Sequence, residues 1–268
     1  MLQRRQKSKI YQRLSRFSAT FKTIYYNIKK KKFEAEAWVL NKFIHSGSVC
    51  FDVGANYGKY TFMMSKLVGT EGRVYSFEPV DYSYKVLSNI VKFHRLKNVA
   101  LIKKALTDKT GTADIGIPIK DSGKLGKGLA YLSSGADPNL VFEEVETSTL
   151  DDYCSNNNIP NIDFIKCDVE GAELLVFRGA KNSIERNCPT VLSEVNIEFL
   201  FNRFNSTPSE FYDFFSDRGY KTFVLEENKF EKVDKILENN NYFFIHNSKL
   251  KNIDLSQDIF SKQTLYKD

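Results

Sequence analysis

The sequence predicts an α/β fold built on an open, mostly parallel sheet, and three features carry that prediction. The run Val49-Cys50-Phe51-Asp52-Val53 is short and apolar apart from one acid, and Gly54-Ala55-Asn56-Tyr57-Gly58 and a helix-like segment over 60–67 follow it. Such a run closed by glycine suits a strand buried on both faces, and Asp52 falls near its carboxyl end, where open α/β sheets bind ligands. The run Arg73-Val74-Tyr75-Ser76-Phe77 reads as the next strand and ends in Glu78, twenty residues after Gly58. Strand-like runs with acids near their ends recur over 162–168 and 190–196, with Asp168 at the tip of one and Glu194 near the end of the other.

The elements follow in chain order. Ile10, Leu14, Phe17, Phe21, Ile24 and Ile28 recur at helical spacing with Arg13, Arg16, Lys22 and Lys29 among them, which predicts a basic amphipathic helix. That helix fits an anionic membrane or an acidic glycolipid carrier, and equally fits packing on the body of the protein or on a second subunit. Lys29 to Lys32 read as a solvated hinge, so residues 1–32 form an N-terminal extension to a body over 33–247. The segment 33–44 looks helical, and 83–93 carries Val86, Ile90 and Phe93 at crossover-helix spacing. A third strand is expected over 99–106, with Ala105 and Leu106 near the base of a bound nucleoside. From 112 to 147 five glycines break the rhythm, apart from a strand-like alternation at Ala113 to Ile117. An irregular insertion of that length is expected to wall or cover an acceptor site, or else to form a surface hairpin with a mobile loop. A helix opens after Asp168, another covers 208–218 with Gly219 as its stop, and strands over 220–225 and 242–246 form an antiparallel edge. The tail over 248–268 is polar and expected to fray.

Composition narrows the class. Of 268 residues with net charge +6, residues 1–32 hold eleven Lys or Arg and no Asp or Glu, so the body is mildly acidic and offers no basic footprint for nucleic acid. Cys50, Cys154, Cys167 and Cys188 show no Cys-x-x-Cys spacing, which suits reduced core cysteines in a cytoplasmic protein. No apolar stretch approaches the length of a membrane span, and residues 1–25 lack the apolar core of a signal peptide.

Asp52, Gly54, Gly58 and Glu78 at this spacing point to a nucleoside cofactor, with Glu78 placed to accept hydrogen bonds from two ribose hydroxyls. A dinucleotide site prefers Gly-x-Gly-x-x-Gly, which is missing, and Asp52 would repel a pyrophosphate. The acid suits a ligand with an ammonium and a sulfonium, which favours S-adenosylmethionine over NAD.

Four stretches together resemble the FkbM family of S-adenosylmethionine-dependent methyltransferases: Phe51 to Thr61 with its Asp-Val-Gly-Ala-Asn motif, Ser76-Phe77-Glu78-Pro79, Thr149 to Tyr153 leading into Ile165 to Glu173 with Asp-Val-Glu-Gly-Ala-Glu, and Ser193-Glu194-Val195-Asn196. The resemblance covers about residues 35–247, and Cys167 departs from it where an aliphatic residue is expected. It implies a class I methyltransferase (Rossmann-like) fold with a seven-stranded, mostly parallel sheet and helices on both faces. It implies O-methyl transfer to a sugar, glycan or other natural-product hydroxyl. By position, Asp52, Gly54, Asn56, Gly58 and Tyr60 would line the methionine end of the cofactor, with Thr61 also a cofactor-binding candidate, and Glu78 would hold the ribose, while Asp168 would face the transferred methyl group.

An alcohol is a poor nucleophile at neutral pH, so a positioned base or a metal must take or loosen its proton. Asp168 is the first candidate base and Glu194 the competing one; Asp168, Glu194 and Asn196 also offer the hard oxygen ligands that magnesium prefers, with metal-free chemistry favoured. Glu170 and Glu173 suit a first helical turn. His45, His94 and His246 lie outside the motifs and are expected to be surface or packing residues. The alternative is a non-catalytic protein on the same fold that holds a nucleotide-like ligand or a partner. The intact set of Asp52, Glu78 and Asp168 weighs against it.

Overall fold

Short apolar strands alternate with helices along the chain. The computed structural model describes residues 2–29, 34–120, 125–133 and 137–255, with the side chains of residues 2–12 and Lys127 left outside that description. The side chain of Ile10 in the expected stripe, Lys30 to Lys32 of the hinge and the tail from 256 therefore lie outside that description. In order, the elements are α1 (Leu2–Ile28), α2 (Ala35–Trp38), β1 (Val49–Val53), α3 (Lys59–Val68), β2 (Arg73–Phe77), α4 (Asp81–Phe93), β3 (Val99–Ile102) and β4 (Ala105–Leu106). Then come β5 (Gly111–Pro118), β6 (Tyr131–Leu132), β7 (Leu140–Ser148), α5 (Leu150–Asn156), β8 (Phe164–Cys167), α6 (Glu173–Arg178) and α7 (Lys181–Asn187). The chain closes with β9 (Thr190–Val195), α8 (Ile197–Phe204), α9 (Pro208–Ser216), β10 (Tyr220–Glu226), β11 (Lys229–Val233), β12 (Asn240–His246) and α10 (Asn247–Leu250).

The main sheet has eight strands in the order β11-β10-β12-β9-β8-β1-β2-β3, one more than expected. The extra strand is β11, which returns antiparallel from β10 through Glu227 and Asn228, both at positive φ. Two consecutive positive φ values give the hairpin turn that matches strand twist, and the exposed charges of Lys229, Glu231 and Lys232 guard the outer edge against further pairing. From β3 to β9 the strands pair in parallel, and β12 runs antiparallel to β9 and β10.

Side chains alternate between the two faces. Phe51, Val53, Phe77, Ile165, Cys167, Val191 and Phe244 pack against α5, α6, α7 and α9 on one face. Cys50, Val74, Phe164, Leu192, Phe243 and Ile245 meet Ala37, Leu40, Met63 and Met64 on the other. Cys167 thus fills the core as an aliphatic residue would. After β1 the chain builds outward to β3, then crosses back to β8 on the other side of β1. That reversal opens a crevice at the carboxyl ends of β1 and β8.

The expected third strand divides: β3 joins the main sheet, and β4 pairs with β7 in a second, four-stranded sheet of order β4-β7-β5-β6. Among its described residues the segment 112–147 is therefore mostly strand, with β5 and β7 paired antiparallel from Gly111↔Thr147 to Pro118↔Leu140. Gly116, one of the glycines that obscured this, sits inside β5 where a Cβ would come within 2.7 Å of the Leu140 side chain. The expected helix over 33–44 is only α2 and a following 3-10 turn, Leu40–Lys42.

Helix α1 packs one face on α4, with Ile24 buried against Val86 and Ile90. Ser15 also shares a 2.8 Å hydrogen bond with Tyr82. Its other face carries Leu14, Phe17, Phe21 and Ile28, each more than half exposed. At the other terminus Leu250, Ile253 and Leu255 pack on the core instead of fraying.

Candidate active site

Strand register assembles the site. Ser76, Asp52, Lys166 and Leu192 are direct neighbours across β2, β1, β8 and β9, so their side chains share one face in one row. With a side-chain period of two, the next positions on that face at the strand tips are Glu78, Gly54, Asp168 and Glu194. The first row is buried and the second borders the crevice.

In the buried row, Thr61 donates to Asp52 Oδ2 at 2.5 Å and lies 3.0 Å from Ser76 Oγ, while Asp52 Oδ1 is buried with no protein partner. Burial raises the Asp52 pKa, and the Lys166 charge and the Thr61 hydrogen bond oppose that rise. The Lys166 side chain is 4% exposed and donates to Asp168 Oδ2 at 2.7 Å, with its ammonium 5.0 Å from the centre of the Tyr60 ring. Burial works against its charge, but Asp168 and Asp52 outweigh it and the pKa is raised. A lysine in a central strand is held there by acids on either side, since an unpaired buried ammonium is strongly unfavourable.

In the tip row, Glu78 accepts from Val80 N and Asn56 N, both at 2.8 Å, one on each carboxylate oxygen. Burial pushes its pKa up to about 7 against the pull of those two amides. Burial against the surrounding protein and then the Asp168 charge push Glu194 up to about 7, although solvent reaches its side chain. Glu170, at φ 60°, is also pushed to about 7 by burial and then by Asp168 and Glu194. Glu173 Oε1 accepts from Val169 N and Gly171 N at 2.9 and 3.1 Å, so this acid shapes the loop between β8 and α6.

Two adjoining hollows open along these rows. A narrow cleft of about 70 Å³ is lined by Glu78, Ala105, Leu106, Ile115, Tyr131 and Glu170, among others. A larger cavity of about 300 Å³ is lined by Asn27, Asp52, Tyr57, Lys59, Tyr60 and Lys166, among others. Gly54, Asn56 and Asp168 border both. The second sheet walls the narrow cleft through Ile115, Ala130, Tyr131 and Leu132. Arg203 braces that wall, stacking 3.7 Å from the Tyr131 ring centre and 3.5 Å from that of Phe199 while donating to Glu170 O at 2.7 Å.

Asp52, Gly54, Asn56, Tyr60, Glu78, Ala105 and Asp168 all face the hollows, and Glu194 joins them through Asp168. Three expected residues do other work. Thr61 is fully buried and holds Asp52 in place. Gly58, at φ 81°, caps α3, and its missing Cβ makes room for Leu87, which a methyl there would meet at 2.4 Å. Asn196 caps α8 by accepting from Phe199 N at 3.1 Å. Gly54, at φ 75°, lets the tips of β1 and β8 meet, since a Cβ there would lie 1.8 Å from Asp168 O. Among the described residues no group of three or more His, Cys, Asp or Glu is disposed to hold a metal ion. Sequence reasoning passed over Lys166, Glu34, Asn27 and Arg203. Only Lys166 carried a local signal, as a charge inside an apolar strand. Glu34 accepts hydrogen bonds from Lys59 and from the Tyr60 hydroxyl, pinning the start of α3.

Comparison with known proteins places this geometry. Residues 52–222 match the model of the methyltransferase FkbM domain. No functionally curated protein matches the chain. Among solved structures, it is similar to the methyltransferase FkbM of Methylobacillus flagellatus, with a TM-score of 0.49 and 15% identity, over 76% of this chain and 47% of that one. The chain thus spans about half the length of that relative. It is also similar to an S-adenosylmethionine-dependent O-methyltransferase of Thermotoga maritima, with a TM-score of 0.44 and 10% identity, over 82% of this chain and 69% of that one. A third is Aeropyrum pernix fibrillarin, whose structure holds natively bound S-adenosylmethionine, with a TM-score of 0.43 and 13% identity, over 78% of this chain and 72% of that one. The match over most of its length makes this chain a member of the FkbM methyltransferase family.

Proposed function

We propose that this FkbM-family chain is an S-adenosylmethionine-dependent O-methyltransferase that modifies a hydroxyl of a sugar, glycan or other small natural product. The observation that carries the proposal is the order of groups along one crevice. Asp52 Oδ1 and Asn56 Oδ1 are buried acceptors without partners at one end, and the Glu78 carboxylate is at the other. Asp168, paired with Glu194, borders both hollows.

The residues fit the cofactor. The two orphaned acceptors suit its ammonium, the remaining lone pairs of Glu78 suit the ribose hydroxyls, and Ala105, Leu106 and Ile115 offer an apolar slot for the base. When bound, S-adenosylmethionine supplies a methyl group on a cationic sulfur that leaves as a neutral sulfide. The protein then has to align the acceptor, exclude water and take a proton. Asp168 and Glu194 are the groups placed for that proton. Lys166 holds Asp168 in place through a 2.7 Å ion pair, while Glu194, with a pKa near 7, is matched to proton transfer at neutral pH. The two carboxyls interact directly, so the proton belongs to the pair. The wall formed by Tyr131 and Arg203 shields this side of the crevice and supports an acceptor-site role for the second sheet.

Metal-free chemistry is favoured by the donor set. The Asn196 side-chain oxygen is used as a helix cap, and an ammonium already rests on Asp168 where a magnesium ion would bind. The outward stripe Leu14, Phe17, Phe21 and Ile28, flanked by Arg13, Arg16, Lys22 and Lys29, supports peripheral contact with an anionic membrane or glycolipid. No described helix is long and apolar enough to cross a membrane.

The test is calorimetric titration with S-adenosylmethionine and separately with NAD, followed by turnover of hydroxyl acceptors with and without EDTA. Saturable binding of the first alone is expected, with EDTA-insensitive turnover. Binding of NAD alone, or of neither ligand by folded protein, would refute the assignment.

A further inference from the structure

The larger cavity has a roof made by a segment that lies outside the family match. Thr23, Tyr26 and Asn27, from the last turns of α1, line it together with Asp52 and Asn56. Asn27 is 3% exposed, and its Nδ2 has no hydrogen-bond partner. Among the described residues, buried side-chain nitrogens and oxygens without partners are few, and three of them belong to residues that line this one cavity: Asn27 Nδ2, Asp52 Oδ1 and Asn56 Oδ1. Buried polar groups are normally satisfied, so three orphans around one hollow mark the place of a ligand. Their polarity describes it. Two acceptors, one of them a carboxylate, call for a cationic donor, and across the cavity an amide donor calls for an acceptor.

That complement is a zwitterionic amino acid, with its ammonium on Asp52 and Asn56 and its carboxylate on Asn27. Lys59 and Tyr60, the first residues of α3, also line the cavity, and Glu34, which lines it too, accepts hydrogen bonds from both. The position of Asn27 is set by packing: Ile24 is clamped by Val86 and Ile90, and Ser15 bonds to Tyr82, so α1 is held against α4 on the side that faces the crevice.

We propose that Asn27 is a cofactor-binding residue, whose amide donates to the carboxylate of the cofactor's amino-acid portion, so that α1 completes a site the family domain leaves open. The inference rests on the S-adenosylmethionine reading above. Its test uses the full chain and two ligands, S-adenosylhomocysteine, which carries the amino acid, and 5′-methylthioadenosine, which lacks it. Asn27→Ala and the gentler Asn27→Ser should each lose about tenfold or more in affinity for S-adenosylhomocysteine, since a hydrogen bond to a charged group is removed. Their affinity for 5′-methylthioadenosine should stay at the wild-type value. Unchanged binding of both ligands overturns the inference, and so does a parallel loss of both in both variants, which would mean a structural role. If the wild-type chain binds neither ligand, the cofactor reading itself fails, a result distinct from wild-type binding that the variants leave untouched.

Discussion

Replacing Lys166 by Met tests the electrostatic core of the site. Methionine keeps the length and most of the volume while removing the ammonium, so the packing change is small and the charge change is large. In the wild type that ammonium lies 2.7 Å from Asp168 and works against the raised pKa of the buried Asp52. Breaking a buried pair by removing one partner costs about 3–5 kcal/mol, and here the variant leaves two acids behind. The penalty depends on pH with a definite sign. Without Lys166 the folded-state pKa of Asp52 rises further above its unfolded value. A carboxyl shifted upward contributes its stability in full below the unfolded pKa and loses it as pH rises through the folded one. The deficit of the variant should therefore be smaller near pH 5 than near pH 8, where it should reach about 3–5 kcal/mol. Urea unfolding at the two pH values, followed by the fluorescence of the single tryptophan, Trp38, measures this. Adding Asp168→Asn to the variant should recover part of the loss, as coupled neighbours do. A deficit below about 1 kcal/mol at pH 8, or one equal at both pH values, would show that Lys166 does not compensate the buried acids.

Glu194→Gln should lower methyl transfer by about 10²–10⁴-fold while leaving cofactor affinity unchanged. In the wild type kcat/KM should rise with pH to a plateau with an apparent pKa near 7, the value to which Glu194 is pushed. A variant with near-normal turnover and the same profile would remove the pair from the mechanism. Gly54→Ala should destabilise the fold by roughly 2–4 kcal/mol, through a methyl placed 1.8 Å from Asp168 O at φ 75°; a melting temperature within a degree of wild type would contradict it. Vesicles of phosphatidylglycerol should sediment the chain in a salt-sensitive way and those of phosphatidylcholine should not, and the double change Phe17→Asp with Phe21→Asp should abolish the binding. Equal binding by that variant would rule out the outward stripe of α1 as the lipid contact.

Legibility in the sequence tracks how local each signal is. The strand-turn-helix around Asp52 was readable because an apolar run, an acid and two glycines stand within ten residues of one another. The second sheet was readable only at Ala113 to Ile117, inside β5, because β4 and β6 are two residues long and glycines punctuate the segment. β11 was missed because its turn is Glu227-Asn228, without the glycine that marks most two-residue hairpins. Motif residues were easier to find than to assign. Thr61 and Gly58 stand where the motif puts them, but one points into the core and the other toward Leu87. Spacing does not say which way a side chain points. Asn27 was hidden for the opposite reason. The apolar stripe of α1 draws the eye to its outer face, while the cavity-facing residue is a polar one on the inner face.

The two rows across the sheet explain why so many acids collect at this crevice without repelling one another apart. The strand period that puts Glu78, Asp168 and Glu194 at the tips also puts Ser76, Lys166 and Leu192 one step below them, with Asp52 in the same lower row. A cation at Lys166 therefore touches Asp168 directly, and its charge also works against the raised pKa of Glu194. The result is an asymmetric pair. Burial and then the Asp168 charge raise Glu194 toward 7. One buried residue that lines the larger cavity thereby acts on the carboxyl that exchanges a proton near neutral pH. A substitution at Lys166 should then move the pH profile as well as the stability, and a shift in one without the other would separate the two roles.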